Sequence, residues 1–445
     1  MRWTSLGHAT WLVEAKGLRL LVDPVLGERH HGGVFAVTPE RTIEIGALAP
    51  DFVIVSHRHT DHFDLPSLHA LARLDPDTVA VTSDPLVESA CRRLGFRTVH
   101  RVDPMHHISL DGVALLTTRS TAPLEWGLMV ATSDGVVWNQ IDTVHPSVAA
   151  VAVTVREAQR AFRRDDPLAL ALVRWQPLLE IAAQTAGALA FPYAYYRENL
   201  EQAAATGARA FVPTAAGARH VPPYEAMDRL VYPVPEARFL RDLSRRLPNV
   251  RVFPGAIGDS YVVEGGEVSC ARDAHGMVTT IDGPETRVFS PLTIPALVDP
   301  NPRGLDGATV RARLDAWIRG VLSPGLAEVR AARGLRLSLD VRLPDGARDE
   351  YTLMDGVVER RLAGDWDALV EIAATYLLDV IEGERNWGDV LLGGMVRGAT
   401  RAYDVDTRGL HARPIGAIFL YHVLPYDESF ERWLERALSR LEGGS

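Results

Sequence analysis

Apolar residues follow two different periodicities along the first part of the chain. Short alternating or continuous apolar stretches, separated by glycine-containing turns, predict strands at 3–6, 10–14, 18–22, 51–55, 79–81 and 98–102. Helical spacing between the later strands predicts helices at 65–74 and 86–94. This order, a β meander followed by alternating strands and helices, predicts an α/β fold.

The pattern continues with further strands and then changes character. Strands are predicted at 112–118, 126–132, 135–142, 209–213, 250–253 and 260–263, with a helical stretch from 148 to about 207 and a helix at 235–246. Beyond a proline-rich segment, helices are predicted at 310–332, 366–381 and 387–396, and strands at 335–343 and 350–353. We therefore predict a first domain over 1–290 with a helical insert at about 146–205, a linker at 291–304, and a smaller α+β accessory domain over 305–445.

Composition excludes several classes of protein. The chain has 445 residues, of which 47% are hydrophobic and 23% charged, as in soluble globular proteins. A net charge of −10 argues against a nucleic-acid partner. We find no apolar run long enough for a membrane span and no signal pattern, so we expect a cytoplasmic protein. The only cysteines, Cys91 and Cys270, are too few for an iron–sulfur cluster, so any electrons must come from outside the chain.

The chemistry is concentrated after the predicted strand at 51–55, where the sequence reads His-Arg-His-Thr-Asp-His. Extended residues two apart point the same way, so His57 and His59 can face one ion, while Asp61 and His62 can reach a second ion beside it. A solvated, histidine-rich surface loop is the alternative. The spacing favours a site for two metal ions.

Three segments together resemble the metallo-β-lactamase superfamily, near its lipid-phosphodiesterase and lactonase-like branch: Ser5–Thr10, Leu21–Leu26 and His57–His62. The resemblance covers about residues 1–265. It implies an αββα sandwich of two β-sheets between helices, with two metal ions at one edge. It also implies that further metal ligands lie later in the chain, after the histidine motif.

The resemblance implies three further ligands. Glu125, in Pro-Leu-Glu-Trp, takes the place of the family's third histidine, and Asp142 matches an aspartate that bridges both ions. His220 is the candidate for the last histidine, with His145 as an alternative. The third ligand could instead be His106 or His107, although both precede the strand at 112–118 and come early for the family order.

The remaining histidines carry less weight. His8 has a counterpart near the metals in relatives, where hydrogen bonding and catalysis are equally good interpretations, and we leave it unassigned. We predict that His30, His31 and His69 are surface residues.

Glu125 determines which chemistry we favour. A carboxylate in place of an imidazole favours iron or manganese over zinc, and two histidines with one carboxylate form the ligand set that non-heme iron uses with O2. The pattern is similar to metallo-β-lactamase-fold diiron oxygenases of antibiotic biosynthesis. We therefore expect two iron ions, O2 and an external electron donor, acting on a small molecule of bacterial secondary metabolism. A dizinc hydrolase of a phosphodiester, lactone or amide, with Asp61 orienting the water, is the alternative.

The sequence indicates less about binding partners and about the role of the accessory domain. The expected partner is a small-molecule substrate, with an external reductase or a carrier protein as candidates and a homodimer left open. Aromatic residues of the insert are candidates for a lid: Trp175, Phe191, Tyr193, Tyr195 and Tyr196. The C-terminal region weakly resembles sterol-carrier-like modules at Trp387–Gly394, and could bind an apolar ligand, mediate dimerisation or cover the active-site mouth.

Overall fold

Two β-sheets packed face to face form the centre of the computed structural model, which describes residues 1–177, 184, 190–272, 276–281 and 295–443. The first sheet has eight strands, in spatial order Glu267–Ala271, Ser260–Glu264, Arg2–Gly7, Thr10–Ala15, Leu18–Val22, Phe52–Val55, Val79–Thr82 and Thr98–Arg101. The second has seven, in the order His107–Leu110, Val113–Arg119, Trp126–Thr132, Gly135–Asn139, Leu170–Val173, Ala210–Pro213 and Arg251–Val252.

Each sheet is antiparallel on one side and parallel on the other. In the first sheet, Leu65–Leu74 and Pro85–Leu94 are the crossover helices that join parallel strands. Both helices begin at an aspartate that accepts a backbone N–H, Asp64 from Ser67 and Asp84 from Leu86, with proline in the first turn. In the second sheet, Val148–Phe162 and Tyr193–Ala205 are the crossover helices, and Glu236–Arg246 precedes the last strand.

Apolar side chains fill three layers. Between the sheets lie Trp3 and Trp11 of the first sheet and Trp126, Leu128 and Val137 of the second, all buried. Other buried clusters join the outer face of each sheet to its helices. The predicted αββα sandwich is therefore confirmed, because each sheet buries one face on its partner and the other under helices.

The segment predicted as a helical insert at 146–205 has a different structure. It contains the strand Leu170–Val173, which pairs in parallel with Gly135–Asn139 on one side and Ala210–Pro213 on the other. The strand is fully buried, and a short continuous apolar run cannot be told from a buried helix by periodicity. Residues 178–183 and 185–189, which belong to the same prediction, lie outside the described residues.

A third sheet organises the C-terminal part. Its five strands are, in order, Val357–Glu359, Arg348–Met354, Leu337–Arg342, Ala368–Ala373 and Val396–Thr400. The helices are Gly307–Trp317, which continues through the π-helical turn Ile318–Leu322 into Ser323–Glu328, then Ala374–Glu382 and Trp387–Leu392. The predicted helix at 366–381 thus begins with a strand. Residues 295–304 of the expected linker contain neither helix nor strand, and residues 291–294 lie outside the described residues.

Short elements complete the fold. Three strands form a small sheet, Ala218–His220, Phe35–Val37 and Arg29–His30, and two pairs are formed by Glu40–Ile43 with Val278–Ile281 and by Tyr403–Asp406 with Gly409–Ala412. The short helices are Ile45–Leu48 and Asp228–Val231, and the 3-10 turns are His31–Gly33, Glu225–Met227, Arg330–Ala332 and Phe419–His422. No helix in the described part of the chain has both the length and the apolar character needed to cross a bilayer.

The last helix, Tyr426–Gly443, returns to the N-terminal sandwich. Its buried residues Phe430, Leu434 and Leu438 belong to the same apolar cluster as the helices Leu65–Leu74 and Pro85–Leu94. Arg93 of the second of these helices pairs with Glu435 at 2.7 Å and with Glu442 at 3.0 Å. The C-terminal part is therefore packed against the sandwich, a contact that the sequence did not predict.

Candidate metal centre

Six of the seven predicted ligands come together at one edge of the sandwich. Their donor atoms form two sets of three in which all lie within 4.8 Å of one another: His57, His59 and Glu125, and His57, His62 and Asp142. Asp61 lies in a third set with His62 and His8. The structure thus places the histidine loop beside both later carboxylates.

Strand pairing explains how distant residues meet. Glu125 immediately precedes the strand Trp126–Thr132 and Asp142 follows the strand Gly135–Asn139, and because these strands are antiparallel their two ends lie at the same edge. The residue before each carboxylate has a left-handed backbone, with φ of 63° at Leu124 and 54° at Ile141. Such φ values are costly for a β-branched residue like isoleucine, as is typical of strained functional sites.

A buried aspartate fixes the orientation of two imidazoles. Asp23 accepts hydrogen bonds from the Ser56 backbone N–H at 2.7 Å, from the Ser56 hydroxyl at 2.8 Å and from His62 Nδ1 at 2.9 Å. Since the hydroxyl proton is used on Asp23, Ser56 Oγ accepts from His57 Nδ1 at 2.9 Å. These hydrogen bonds occupy Nδ1 of each ring and direct Nε2 into the cluster, where it would bind a metal once deprotonated.

His31 was predicted at the surface, but the structure buries it beside Asp61. His8 Nε2 lies 3.0 Å from one Asp61 oxygen, and His31 Nε2 lies 3.7 Å from the other. His30 is also buried, with its ring stacked on Phe35. These positions depend on the small sheet in which Arg29–His30 pairs with Phe35–Val37, and no local pattern in the sequence indicates that pairing.

The structure does not bring His220 to the cluster. Its Nε2 lies 3.0 Å from the Leu392 carbonyl and its Nδ1 lies 3.5 Å from Asp228. The ring of Phe35, whose centroid is 4.2 Å from that of His220, also contacts His30 and His31. His220 is therefore not in position to be the last metal ligand. After His8 and His62, the buried imidazole nearest to Asp61 is that of His31.

The other three histidines considered as ligands also lie away from the cluster. His145 is buried against Trp138, with ring centroids 5.5 Å apart, and burial lowers its pKa to about 4. His107 begins the edge strand His107–Leu110 and contacts Phe162, and His106 precedes it. None of the three joins a potential ligand group among the described residues. Glu125 thus occupies the position for which His106 and His107 were considered.

The electrostatics of the cluster suit a bound cation. Burial, and then the neighbouring Asp142, raise the pKa of Glu125 to about 7. Burial lowers the pKa of His57 and of His59. Burial also acts to lower the pKa of His62, but the nearby carboxylates of Asp61, Asp142 and Asp23 raise it well above its ordinary value.

The side chains of the cluster are suited to holding two metal ions. Two imidazoles with lowered pKa values, His57 and His59, and carboxylates that lie close together are donors whose charge a pair of metal ions would balance. His57, His59 and Glu125 would hold one ion, Asp61 and His62 the other, and Asp142 lies close to both groups.

A cavity of about 800 Å³ opens beside the cluster. His59, Asp61, Glu125 and Asp142 lie on one of its sides. Much of the rest of the lining is contributed by the C-terminal part of the chain: Asn386, Leu391, Leu392, Ile415, Ile418, Tyr421 and Phe430. Two of the predicted lid aromatics, Trp175 and Tyr195, also line it. The cavity is large enough for a small-molecule substrate.

Residues 2–161 match the model of the β-lactamase superfamily domain. The N-terminal part of the chain is a β-lactamase superfamily domain. The resemblance to this superfamily of metal-dependent enzymes, inferred from the histidine motif, is thereby confirmed. The match includes the strands and loops that carry the six clustered ligands.

Curated relatives match shorter segments. A metal-dependent hydrolase of Salinibacter ruber is 28% identical over 132 residues, 30% of this chain and 47% of that protein. A putative Rieske 2Fe-2S iron-sulfur protein of Mycobacterium tuberculosis is 31% identical over 112 residues, 24% of this chain and 21% of that protein. An N-acyl-phosphatidylethanolamine-hydrolyzing phospholipase D of Caenorhabditis elegans is 35% identical over 79 residues, 16% of this chain and 22% of the relative. The matched segments thus span less than half of these relatives.

Two solved structures align with part of this chain at low sequence identity. An isothiocyanate hydrolase from Delia radicum gut bacteria aligns with a TM-score of 0.41 at 19% identity, covering 60% of this chain and all of that chain (100%). CmlA, a diiron β-hydroxylase from Streptomyces venezuelae, aligns with a TM-score of 0.38 at 14% identity, covering 57% of this chain and 52% of that chain.

Proposed function

We propose that this protein is a non-heme diiron oxygenase that oxidises a small molecule with O2 in bacterial secondary metabolism. The observation that carries the proposal is the position of Glu125, whose Oε1 lies 4.0 Å from His59 Nδ1 and which groups with His57 and His59. Two histidines and one carboxylate are the ligand set of non-heme iron enzymes that use O2.

The full donor set supports iron over zinc. Three imidazoles and three carboxylates line the cluster: His57, His59, His62, Asp61, Glu125 and Asp142. Carboxylate-rich sets favour iron and manganese, whereas zinc sites of this size usually contain more nitrogen or sulfur donors. Two bound iron ions would supply the redox chemistry for O2-dependent oxidation, with electrons returned by an external donor.

The chain's own residues orient this centre. Asp23 and Ser56 bond Nδ1 of His62 and of His57, and so direct the Nε2 atoms of both rings into the cluster. His8 hydrogen-bonds to Asp61 and fixes its orientation, and the Ser120 hydroxyl donates to Glu125 at 3.3 Å. The adjoining cavity would hold the substrate next to these carboxylates and limit the access of bulk water.

Metal analysis with a ligand exchange tests the proposal. Protein purified without added metal should contain about two iron atoms per chain and, once reduced, consume O2. Glu125→His should keep two metals but shift the content towards zinc and abolish O2 consumption. Glu125→Asp is the matched control, because it keeps a carboxylate and should keep iron with weaker binding. Wild-type protein that carries two zinc ions and hydrolyses a chromogenic ester would contradict the proposal.

A dizinc hydrolase is the second candidate, favoured by the relatives named as hydrolases. Two zinc ions would lower the pKa of a bound water to near neutrality, and Asp61 is placed to orient that water. Under the hydrolase proposal Glu125→His should retain or increase hydrolysis, the opposite of the outcome expected for the oxygenase.

A further inference from the structure

Arg174 is placed in the cavity with unused hydrogen-bonding capacity. It is the first residue after the buried strand Leu170–Val173, so it emerges at the same sheet edge as the residues that follow Gly135–Asn139. Its Nη1 donates to the Tyr195 hydroxyl at a long 3.4 Å, and its guanidinium lies 5.7 Å from the centre of the Tyr195 ring. Its Nε is buried and has no hydrogen-bond partner among the residues that the structure describes.

No carboxylate forms an ion pair with Arg174 within the described ranges. By contrast, Arg41, which is buried, donates to three backbone carbonyls, those of Leu6, Val25 and Gly27. A guanidinium left unpaired in a partly buried cavity is costly unless a ligand supplies the anion.

Much of the remaining lining of the cavity is apolar. Leu391, Leu392, Ile415 and Ile418 of the C-terminal part line it, together with Trp175, the residue after Arg174. A ligand that fits both regions has an acidic group at one end and an apolar body at the other.

We propose that the substrate is an amphipathic anion whose carboxylate, sulfate or phosphate group pairs with Arg174 while its apolar part lies against the C-terminal residues. The inference rests on the proposed function in taking this cavity as the place where the substrate binds. Arg174 would then be a binding residue that fixes which part of the substrate faces His59, Glu125 and Asp142. A planar guanidinium is suited to this role because it can donate two parallel hydrogen bonds to an acidic group.

Calorimetric titration of the full-length protein with three ligands of equal chain length tests this role: octanoate, octyl sulfate and octan-1-ol. Arg174→Gln should weaken the binding of both anions about tenfold or more and change octan-1-ol binding less than twofold. Arg174→Lys keeps the charge and should recover part of the anion affinity. Arg397→Gln, a half-buried arginine outside the cavity lining, is the matched control and should bind all three ligands as the wild type does.

Two results would overturn the inference. If the wild type binds octan-1-ol as tightly as it binds either anion, Arg174 does not select an acidic group. If Arg174→Gln weakens all three ligands equally, the side chain only shapes the cavity. The experiment compares the dissociation constants of the variants and does not need the reaction to occur. Its results therefore do not depend on which metal is bound or on whether O2 is consumed. The proposed function is tested separately, by metal analysis and O2 consumption.

Discussion

Replacing Asp23 with asparagine should weaken metal binding without changing any ligand. One Asp23 oxygen accepts the Ser56 backbone N–H, which cannot reverse its role, so the amide oxygen of an asparagine must stay there. The new NH2 group then faces the Ser56 hydroxyl and His62 Nδ1, where it can only donate. His62 must accept at Nδ1, and its proton moves to Nε2, the nitrogen that lies 3.1 Å from Asp142.

The size of the effect follows from this change of tautomer. Mutations in residues that orient metal ligands typically lower metal affinity about 10–100-fold, or about 1.4–2.7 kcal/mol. Competition titration with a chromophoric chelator measures the affinity, and urea unfolding of metal-free protein measures the accompanying loss of stability. Thr4→Val is the control, because it removes a buried hydroxyl pair with Ser260, at 2.8 Å, in the same sheet. Asp23→Asn binding both metals within about threefold of the wild type would refute the reasoning.

Three further predictions follow from buried side chains. His220→Gln should retain two metal ions per chain, whereas His59→Gln should lose one, as measured by elemental analysis; equal losses would place His220 in the centre. Leu434→Ala should lower the free energy of unfolding by about 2–4 kcal/mol in urea titration, and a cost under about 0.5 kcal/mol would mean that the C-terminal helix is loosely attached. Burial raises the pKa of Asp389 to about 6, so its folded pKa exceeds the unfolded one and its contribution to stability is lost as pH rises through 6. Asp389→Asn should therefore gain stability relative to the wild type as pH rises from about 4 to about 6, by about 1–3 kcal/mol in urea titration, with no further gain above that range, and a pH-independent difference would contradict this.

The histidine loop and the sandwich could be predicted because local signals coincide there. The strand Phe52–Val55 has a clear apolar run. His57, His59 and Asp61 follow it at the two-residue spacing that indicates a metal site. Glu125 was found only through the family resemblance, since one carboxylate before a strand has no distinctive pattern. The structure places it in the cluster, and its role as a ligand stays a prediction.

The misplaced residues share one cause. His220, His30 and His31 occupy positions set by the small sheet of Arg29–His30, Phe35–Val37 and Ala218–His220, whose pairing joins segments far apart in the chain. Likewise, Leu170–Val173 and Ala368–Ala373 are strands because they lie beside other strands, while their apolar runs suit a helix equally well. Tertiary pairing decides these elements, and a single sequence does not display it.

The N-terminal and C-terminal parts of the chain both line the cavity, but they contribute different things to it. The donors all lie at or before Asp142, whereas residues 386–430 shape much of the space in front of them. Changes in the later segment can therefore alter substrate choice while leaving the inorganic chemistry intact. Natural variants and laboratory libraries that diversify only this distant stretch should yield catalysts with new selectivity and an unchanged reaction type.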